Sequence, residues 1–273
     1  MNGIADSHKN VTVRTYGAAG PAVVVLHGGP GVAGYMAPVC RDLSIEFRVI
    51  EPLQRASGEV PLTVDRHISD LCDVVLKYAP GGLTLVGHSW GAMLALAFAA
   101  RHHDAVTGIV LIGCGTFDAV SRRSLDATVE QRMTPALRDR LRRSSRTIHD
   151  SDVRMCVVGR ILEPVYSYEL TAHADETEWY DAAGCHESWD DMLHLQQSGV
   201  YPAAFSSIRV PTIMVHGDHD PHPGLSTFDC LRAVMPHLEY VELLRCGHYP
   251  WWESFARDGF FSILRDWLAQ HAR

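Results

Sequence analysis

Residues 83–100 have the sequence LTLVGHSWGAMLALAFAA. The start, Leu83–Val86, is typical of a strand buried on both faces, and the small and apolar residues from Ala92 onward favour a buried helix. Between them lies Gly87-His88-Ser89-Trp90-Gly91, a G-x-S-x-G turn. Such a turn exposes its serine at the top of a sheet, and small residues on either side avoid a clash. The stretch therefore predicts a strand–turn–helix unit with Ser89 as a nucleophile.

Short apolar strands alternate with helices on both sides of this unit. The other predicted strands are Val11–Tyr16, Ala22–Leu26, Phe47–Ile50, Gly108–Ile112, Thr212–Val215 and Leu238–Leu243. The predicted helices are Thr63–Tyr78, Ala92–Arg101, Ser226–Met235 and Phe255–His271. This alternation predicts an α/β fold with a mostly parallel sheet covered by helices on both faces.

The pattern changes between about residues 118 and 206, where no buried-type strand is found. We predict helices there over Ser121–Arg146, Asp152–Leu170 and Glu187–Gln197. The predicted organisation is one α/β core made of residues 1–117 and 207–273, interrupted by a helical cap over residues 118–206.

The composition excludes several classes of protein. The chain has 273 residues, 47% of them hydrophobic, which excludes a disordered chain. No apolar run has the 18 or so residues of a membrane span, and residues 1–10 lack the apolar segment of a signal peptide. The net charge of −8 argues against a nucleic-acid partner. The seven cysteines include no C-x-x-C pair, so we expect reduced thiols and a cytoplasmic location.

Arginine is far more frequent than lysine, and eight of the 22 arginines lie between Arg122 and Arg146. Because acidic residues such as Asp126, Glu130 and Asp139 lie among them, the interpretation is a solvated, salt-bridged helix face. The alternative is a surface that recognises anionic groups.

A nucleophilic serine requires a histidine base and an acid that orients it. His248 follows the last predicted strand and is flanked by glycine and a nearby proline, which is typical of a loop at a strand end. Asp218 and Asp220 both follow the strand before it. We prefer Asp220 because it lies further out on the loop, and the order Ser89, Asp220, His248 fits this architecture.

The transition state of acyl transfer requires two N–H donors for its oxyanion. Trp90, directly after the nucleophile, is predicted to supply one and Gly29, in the glycine-rich stretch His27–Gly31, the other. We list Trp251 and His88 as candidate substrate-binding residues.

The stretch His216–His222 contains three histidines and two aspartates. A strand directs alternate residues to opposite faces, and no second cluster offers further ligands at metal spacing. We therefore predict no metal and no organic cofactor, and interpret this loop as the source of the acid.

The loop His27-Gly28-Gly29-Pro30-Gly31, the Gly87–Gly91 turn and the two loops with Asp220 and His248 resemble those of the α/β-hydrolase superfamily over essentially the whole chain. The HGGPG loop and the GxSWG turn look most like its proline iminopeptidase branch. Residues 53–58 are similar to the D-Q-R-G-x-G loop of that branch but have Leu53 in place of Asp and Ala56 in place of Gly.

Members of that branch bind a free α-amine, usually with cap carboxylates, and the cap offers several candidates: Glu163, Glu169, Glu176, Glu178 and Glu187. The predicted function is a serine hydrolase that cleaves an ester or amide bond of a small molecule or short peptide. The alternatives are release of N-terminal proline, C–C bond or lactone hydrolysis on the same triad, and a non-enzymatic receptor for a small ligand. The sequence leaves the oligomeric state open.

Overall fold

The computed structural model describes residues 11–273, so the predicted absence of a signal peptide over residues 1–10 lies outside the described residues. A seven-stranded sheet forms the centre of this part of the chain. Its strands are β1 (Thr12–Tyr16), β2 (Ala22–Leu26), β4 (Arg48–Leu53), β5 (Leu83–His88), β6 (Val106–Ile112), β8 (Thr212–Gly217) and β9 (Glu239–Leu243). Two further strands, β3 (Val32–Ala33) and β7 (Trp179–Tyr180), form a separate antiparallel pair.

The strand order is β1-β4-β2-β5-β6-β8-β9. All pairs are parallel except β1 with β4, at one edge. The central strands β2 and β5 are buried along their whole length, as their continuous apolar sequences require. The prediction of a mostly parallel sheet is confirmed, and only the first strand differs in direction.

The helices are α1 (Ala37–Leu43), α2 (Val64–Tyr78), α3 (Trp90–Arg101), α4 (Ala119–Arg132), α5 (Pro135–Thr147), α6 (Ser151–Tyr166), α7 (Ala182–Gln197), α8 (Gly224–Arg232) and α9 (Arg257–His271). Two apolar cores lie on opposite faces of the sheet. One contains α2 and α3, and the other contains α1 and α9. Helix α3 is buried on nearly every side, which explains its small and apolar composition.

Helices α4 to α7 and strand β7 are inserted between β6 and β8. The prediction of one helix over Ser121–Arg146 is wrong, because α4 ends at Arg132 and α5 begins at Pro135. Thr134 caps α5 by accepting the Leu137 N–H, and Pro135 occupies the first turn, where no N–H donor is needed. We call residues 118–206 the cap segment, and its status as a separate unit stays a prediction.

The arginines of the cap segment differ in their partners. Arg138 pairs with Glu130 and Arg142 with Asp139, whereas Arg132 donates to the carbonyl groups of Val165 and His219. Among the helices of residues 11–273, none combines the length and apolarity required to cross a membrane.

Candidate active site

Ser89 lies on the turn between β5 and α3 in a backbone conformation that residues other than glycine rarely adopt. Its φ is 55°, and such strain persists only where the surroundings enforce it. A Cβ atom at Gly87 would meet the carbonyl oxygen of Gly91, and one at Gly91 would meet that of Leu26. Close backbone approach therefore requires both glycines of the motif.

His248 and Asp220 lie on the loops after β9 and β8, at the same edge of the parallel sheet as Ser89. Nδ1 of His248 donates to Oδ2 of Asp220 at 2.6 Å. Ser89 and His248 line the same two cavities. The structure thus brings together the three residues that the sequence predicts as a triad.

Burial raises the pKa of Asp220, but its histidine neighbours His248, His222 and His216 lower it, and the net pKa is well below the ordinary value. Burial lowers the pKa of His248 and Asp220 raises it, with a net decrease. At neutral pH the pair is therefore a carboxylate and a neutral imidazole. Such an imidazole can accept a proton at Nε2 while Nδ1–H is held by the acid.

His88 is buried and connects two loops of the site. Its Nε2 donates to the carbonyl oxygen of His248 at 2.8 Å, so its Nδ1 accepts from the Tyr35 hydroxyl at 2.6 Å. That hydroxyl oxygen accepts the Gly28 N–H at 2.6 Å. Burial lowers the pKa of His88 far below its ordinary value, in keeping with this neutral ring. His88 lines the larger cavity, but both its ring nitrogens are occupied within the protein.

The residues of the two predicted oxyanion donors, Gly29 and Trp90, line the smaller cavity together with Ser89. Trp90 is the first residue of α3, where N–H groups have no acceptor within the helix. Gly29 has a φ of 87° and lines both cavities next to Ser89. Gln54 bridges the two segments, because its Nε2 donates to the His27 carbonyl at 2.8 Å and its Oε1 accepts the Trp90 indole N–H at 3.0 Å.

Gly113, just after β6, is a site residue that the sequence analysis missed. Its φ is 51°, and a Cβ there would lie 3.0 Å from Nδ1 of His248 and 3.2 Å from Oδ2 of Asp220. Its N–H donates to the Val215 carbonyl at 3.0 Å. The only signal in the sequence is a glycine directly after a predicted strand.

Two cavities meet at Ser89 and His248. The larger, about 830 Å³, lies beneath α6 and the segment that precedes β7. The smaller, about 310 Å³, extends between Trp90, Tyr166 and Trp189. A substrate that occupied both would place its reacting bond at Ser89, with one portion in each cavity.

Trp251, one of the predicted substrate-binding residues, is buried beneath the site. Its ring stacks on that of Tyr35, with 6.2 Å between centroids. Among residues 11–273, those that line the two cavities do not include Trp251. Trp252 lines the larger cavity instead, and its ring stacks on His173 at 4.0 Å.

Four of the five cap glutamates are engaged within the protein. Glu176 pairs with Arg41, Glu178 with Arg14, Glu169 with the Ser254 hydroxyl and Glu187 with the Leu62 N–H. The fifth, Glu163, lines both cavities, and its Oε1 lies 3.7 Å from Nε2 of His173.

Within residues 11–273, Asp220, His222 and His248 form a group compact enough to be considered as metal ligands. However, the rings of His222 and His248 are stacked, with 4.6 Å between centroids and 21° between planes. Both Nδ1 atoms donate to the Asp220 carboxylate, so in this arrangement neither offers a lone pair to an ion. The absence of a metal stays a prediction.

The sheet order, the inserted helices and the glycine-flanked serine turn define an α/β-hydrolase fold. The chain belongs to the Alpha/beta hydrolase family, whose family model matches residues 23–262. It is a hydrolase, and we do not propose the receptor alternative.

The relatives include more than one kind of hydrolase. A 2-hydroxy-6-oxo-2,4-heptadienoate hydrolase of Pseudomonas putida is 26% identical over 93% of this chain and 90% of its own length. A proline iminopeptidase of Neisseria gonorrhoeae is 35% identical, over only 34% of this chain and 33% of its own. Among solved structures, an esterase of Thermogutta terrifontis has a TM-score of 0.64 at 18% identity and covers 96% of this chain and 94% of its own.

Proposed function

We propose that the protein is a serine hydrolase that cleaves an ester or amide bond of a small substrate. The observation that supports this most directly is the buried 2.6 Å hydrogen bond between His248 and Asp220. His248 and Ser89 line the same cavity. No metal or organic cofactor is needed for this chemistry.

In the proposed reaction, Ser89 Oγ attacks the substrate carbonyl while Nε2 of His248 takes the hydroxyl proton. Asp220 holds the Nδ1–H tautomer and stabilises the imidazolium that forms. The N–H groups of Gly29 and Trp90 bind the developing oxyanion. His248 then protonates the leaving group, and water, deprotonated by the same histidine, hydrolyses the acyl-enzyme.

The sizes of the cavities support a small substrate. At about 830 and 310 Å³, they are in the range of pockets for metabolites and short peptides. The smaller is walled by aromatic rings, including Trp90 and Trp189, and suits an apolar portion. The larger has polar and charged residues such as Arg160, Glu163 and Asp175, and suits a polar portion.

C–C bond hydrolysis is the second candidate. The Pseudomonas putida relative, which matches over most of both chains, is named for a substrate with a carboxylate, a ketone and a diene but no ester or amide. Water can cleave such a compound only at a C–C bond, beside the ketone. Hydrolysis of this dienoate, without hydrolysis of p-nitrophenyl butyrate, would favour this candidate.

The aminopeptidase alternative depends on Glu163. A carboxylate in the wall of both cavities could bind the ammonium group of a peptide. The Neisseria gonorrhoeae iminopeptidase matches over a third of each chain, and a proline iminopeptidase of Xylella fastidiosa is 24% identical over 76% of this chain and 68% of its own. Activity on proline β-naphthylamide but not on p-nitrophenyl butyrate would favour this alternative.

A fluorophosphonate probe tests the nucleophile without knowledge of the substrate. We expect covalent labelling of the wild-type protein and none of Ser89→Ala. Ser262→Ala, on the exposed side of α9, is the matched control and should be labelled like the wild type. An unlabelled wild type, or labelling of Ser89→Ala, would overturn the proposal.

A further inference from the structure

The Asp220 carboxylate uses its two oxygens on two different histidines. Oδ2 accepts from Nδ1 of His248 at 2.6 Å. Oδ1 accepts from Nδ1 of His222 at 2.8 Å and from its backbone N–H at 2.9 Å. An orienting acid needs only the first of these contacts for the triad. The second requires a separate explanation.

His222 is close to the reacting groups. Its ring lies nearly parallel to that of His248, 4.6 Å away between centroids. It lines the 310 Å³ cavity, as do Ser89 and His248. His222 is only partly buried, whereas Asp220 and His248 are buried, so it is the ring of this group that solvent reaches more readily.

We propose that His222 is a positioning residue, which fixes the plane of the Asp220 carboxylate and, stacked on His248, opposes positive charge on that ring. The inference rests on the proposed function, since it assigns a role relative to the proposed catalytic base.

The geometric part follows from the two contacts on Oδ1. Rotation of the carboxylate about its Cβ–Cγ bond would break the hydrogen bonds to His222 and to His248 together. A second donor on Oδ1 thus keeps Oδ2 directed at Nδ1 of His248 during the reaction, when that hydrogen bond must hold a developing imidazolium.

The electrostatic part follows from the ring stacking. Positive charge on one stacked ring repels positive charge on the other, and His222 contributes in this way to the lowered pKa of His248. The titratable and charged groups around the pair are Asp220, His216, His88, Tyr166, Tyr249, Glu163, Tyr240 and Arg132. Asp220 is the carboxylate that both rings contact, so both histidines lie next to the same negative charge.

Two substitutions at this position separate the two parts. In His222→Asn the side-chain amide nitrogen can occupy the place of Nδ1 and still donate to Oδ1, but it cannot be protonated. In His222→Ala the side-chain donor and the ring are lost, and only the backbone N–H still donates to Oδ1. The neighbouring His219→Asn is the matched control, because its ring packs against Tyr168 and makes no hydrogen bond to Asp220.

The readout is the rate constant of fluorophosphonate labelling between pH 5 and 9, on full-length variants whose thermal unfolding has been compared with the wild type. For His222→Ala we expect labelling about tenfold slower at pH 8, the factor that one ordinary hydrogen bond is worth. For His222→Asn we expect nearly the wild-type rate at pH 8, with the midpoint of the acid limb raised by at least about half a pH unit. His219→Asn should keep the wild-type profile.

The outcomes distinguish this inference from the proposed function. If the wild type is not labelled, or Ser89→Ala is labelled, the proposed function fails. If only Ser89→Ala loses labelling and His222→Asn keeps the wild-type midpoint, the inference is overturned and the proposed function stands. If His222→Ala does not fold, His222→Asn decides the question, because it keeps the hydrogen bond to Asp220.

Discussion

Two aspartates on one loop, separated by a single residue, lie in opposite environments. Asp218 is exposed and accepts the Cys246 N–H at 3.1 Å. Asp220 is buried and contacts His248 at 2.6 Å. The sequence analysis preferred Asp220 because of its place further out on the loop, and the contacts give the same preference a physical basis.

The two aspartates therefore offer a matched pair of substitutions. Asp220→Asn removes the charge that stabilises the imidazolium and does not hold the Nδ1–H tautomer, so we expect a loss of about 10³-fold or more in the rate of ester hydrolysis. Asp218→Asn keeps an acceptor for the Cys246 N–H and should retain the wild-type rate. Hydrolysis of p-nitrophenyl butyrate at pH 8 measures both. A larger loss in Asp218→Asn than in Asp220→Asn would reverse our assignment of the acid.

At the scale of elements, Glu253 joins the end of α6 to the loop that holds His248. Its side chain is fully buried, with Oε1 accepting the N–H groups of Tyr168 and Gly247 at 2.8 Å each. Oε2 accepts the Glu169 N–H at 2.7 Å. The His248 N–H donates in turn to the Tyr166 carbonyl at 2.7 Å. The Glu253 carboxylate and the hydrogen bond from the His248 N–H to the Tyr166 carbonyl thus connect the cap segment to the loop that holds His248.

Glu253→Gln tests this connection with almost no change of shape. One oxygen of the amide can still accept two N–H groups, but its NH₂ would face the third, which is left buried without an acceptor. We expect a loss of about 1–3 kcal/mol in the free energy of unfolding. Urea denaturation measures it, with Glu169→Gln, whose exposed side chain contacts the Ser254 hydroxyl, as the control. Equal stabilities of the two variants would mean that this carboxylate does not hold the two segments together.

Some helices and strands follow directly from sequence patterns, and others do not. The buried strand Leu83–His88 and its turn follow from local residue types, whereas the order of the proposed triad follows from the predicted architecture. The break at Pro135 was visible in the sequence as a threonine followed by a proline, but the arginine-rich periodicity on both sides hid it. The signal of a proline one residue after a capping threonine deserves more weight than a helical pattern that continues across it.

Other features had no local signal. Tyr35 meets His88 across 53 positions of sequence, and Glu253 meets Tyr168 across 85. Gly113 is constrained by His248 and Asp220, which its neighbours in sequence do not reveal. His222 belongs to a cluster that the sequence shows, yet neither its hydrogen bond to Asp220 Oδ1 nor its stacking on His248 follows from the sequence. These roles depend on which loops meet at the edge of the sheet.

At the scale of the whole molecule, five buried histidines are held neutral. Burial lowers the pKa of His27 to about 4 and that of His67 to about 3. Burial also lowers the pKa values of His88, His216 and His248. These five residues lie in the core and at the site, so burial favours their neutral forms in the resting protein.

This burial makes the protein sensitive to acid. Each of these histidines has a pKa in the folded state below its unfolded value near 6.5, so the unfolded state binds more protons as the pH falls. The stabilisation by the neutral rings is complete above about pH 6.5 and is lost progressively below it. We expect the free energy of unfolding to fall by up to about 1.4 kcal/mol per pH unit for each histidine. Urea denaturation at pH 7.5, 6 and 5 measures the slope, and a free energy that stays constant over this range would contradict the prediction.

His67 allows the contribution of one ring to be isolated without a change to any residue of the proposed triad. Its Nε2 contacts the Ser188 hydroxyl at 2.8 Å and joins α2 to α7. In His67→Gln the amide can reach the same hydroxyl but does not titrate. The pKa of the His67 ring in the folded wild type is about 3. We therefore expect this ring to lower the free energy of unfolding by about 2 kcal/mol between pH 7.5 and 5, and the variant should lack this decrease.

His237→Gln, at an exposed position, is the control, and its free energy of unfolding should fall as much as that of the wild type. If His67→Gln and the wild type lose the same free energy over this range, His67 is protonated in the folded state, and its proposed part in the acid sensitivity is wrong.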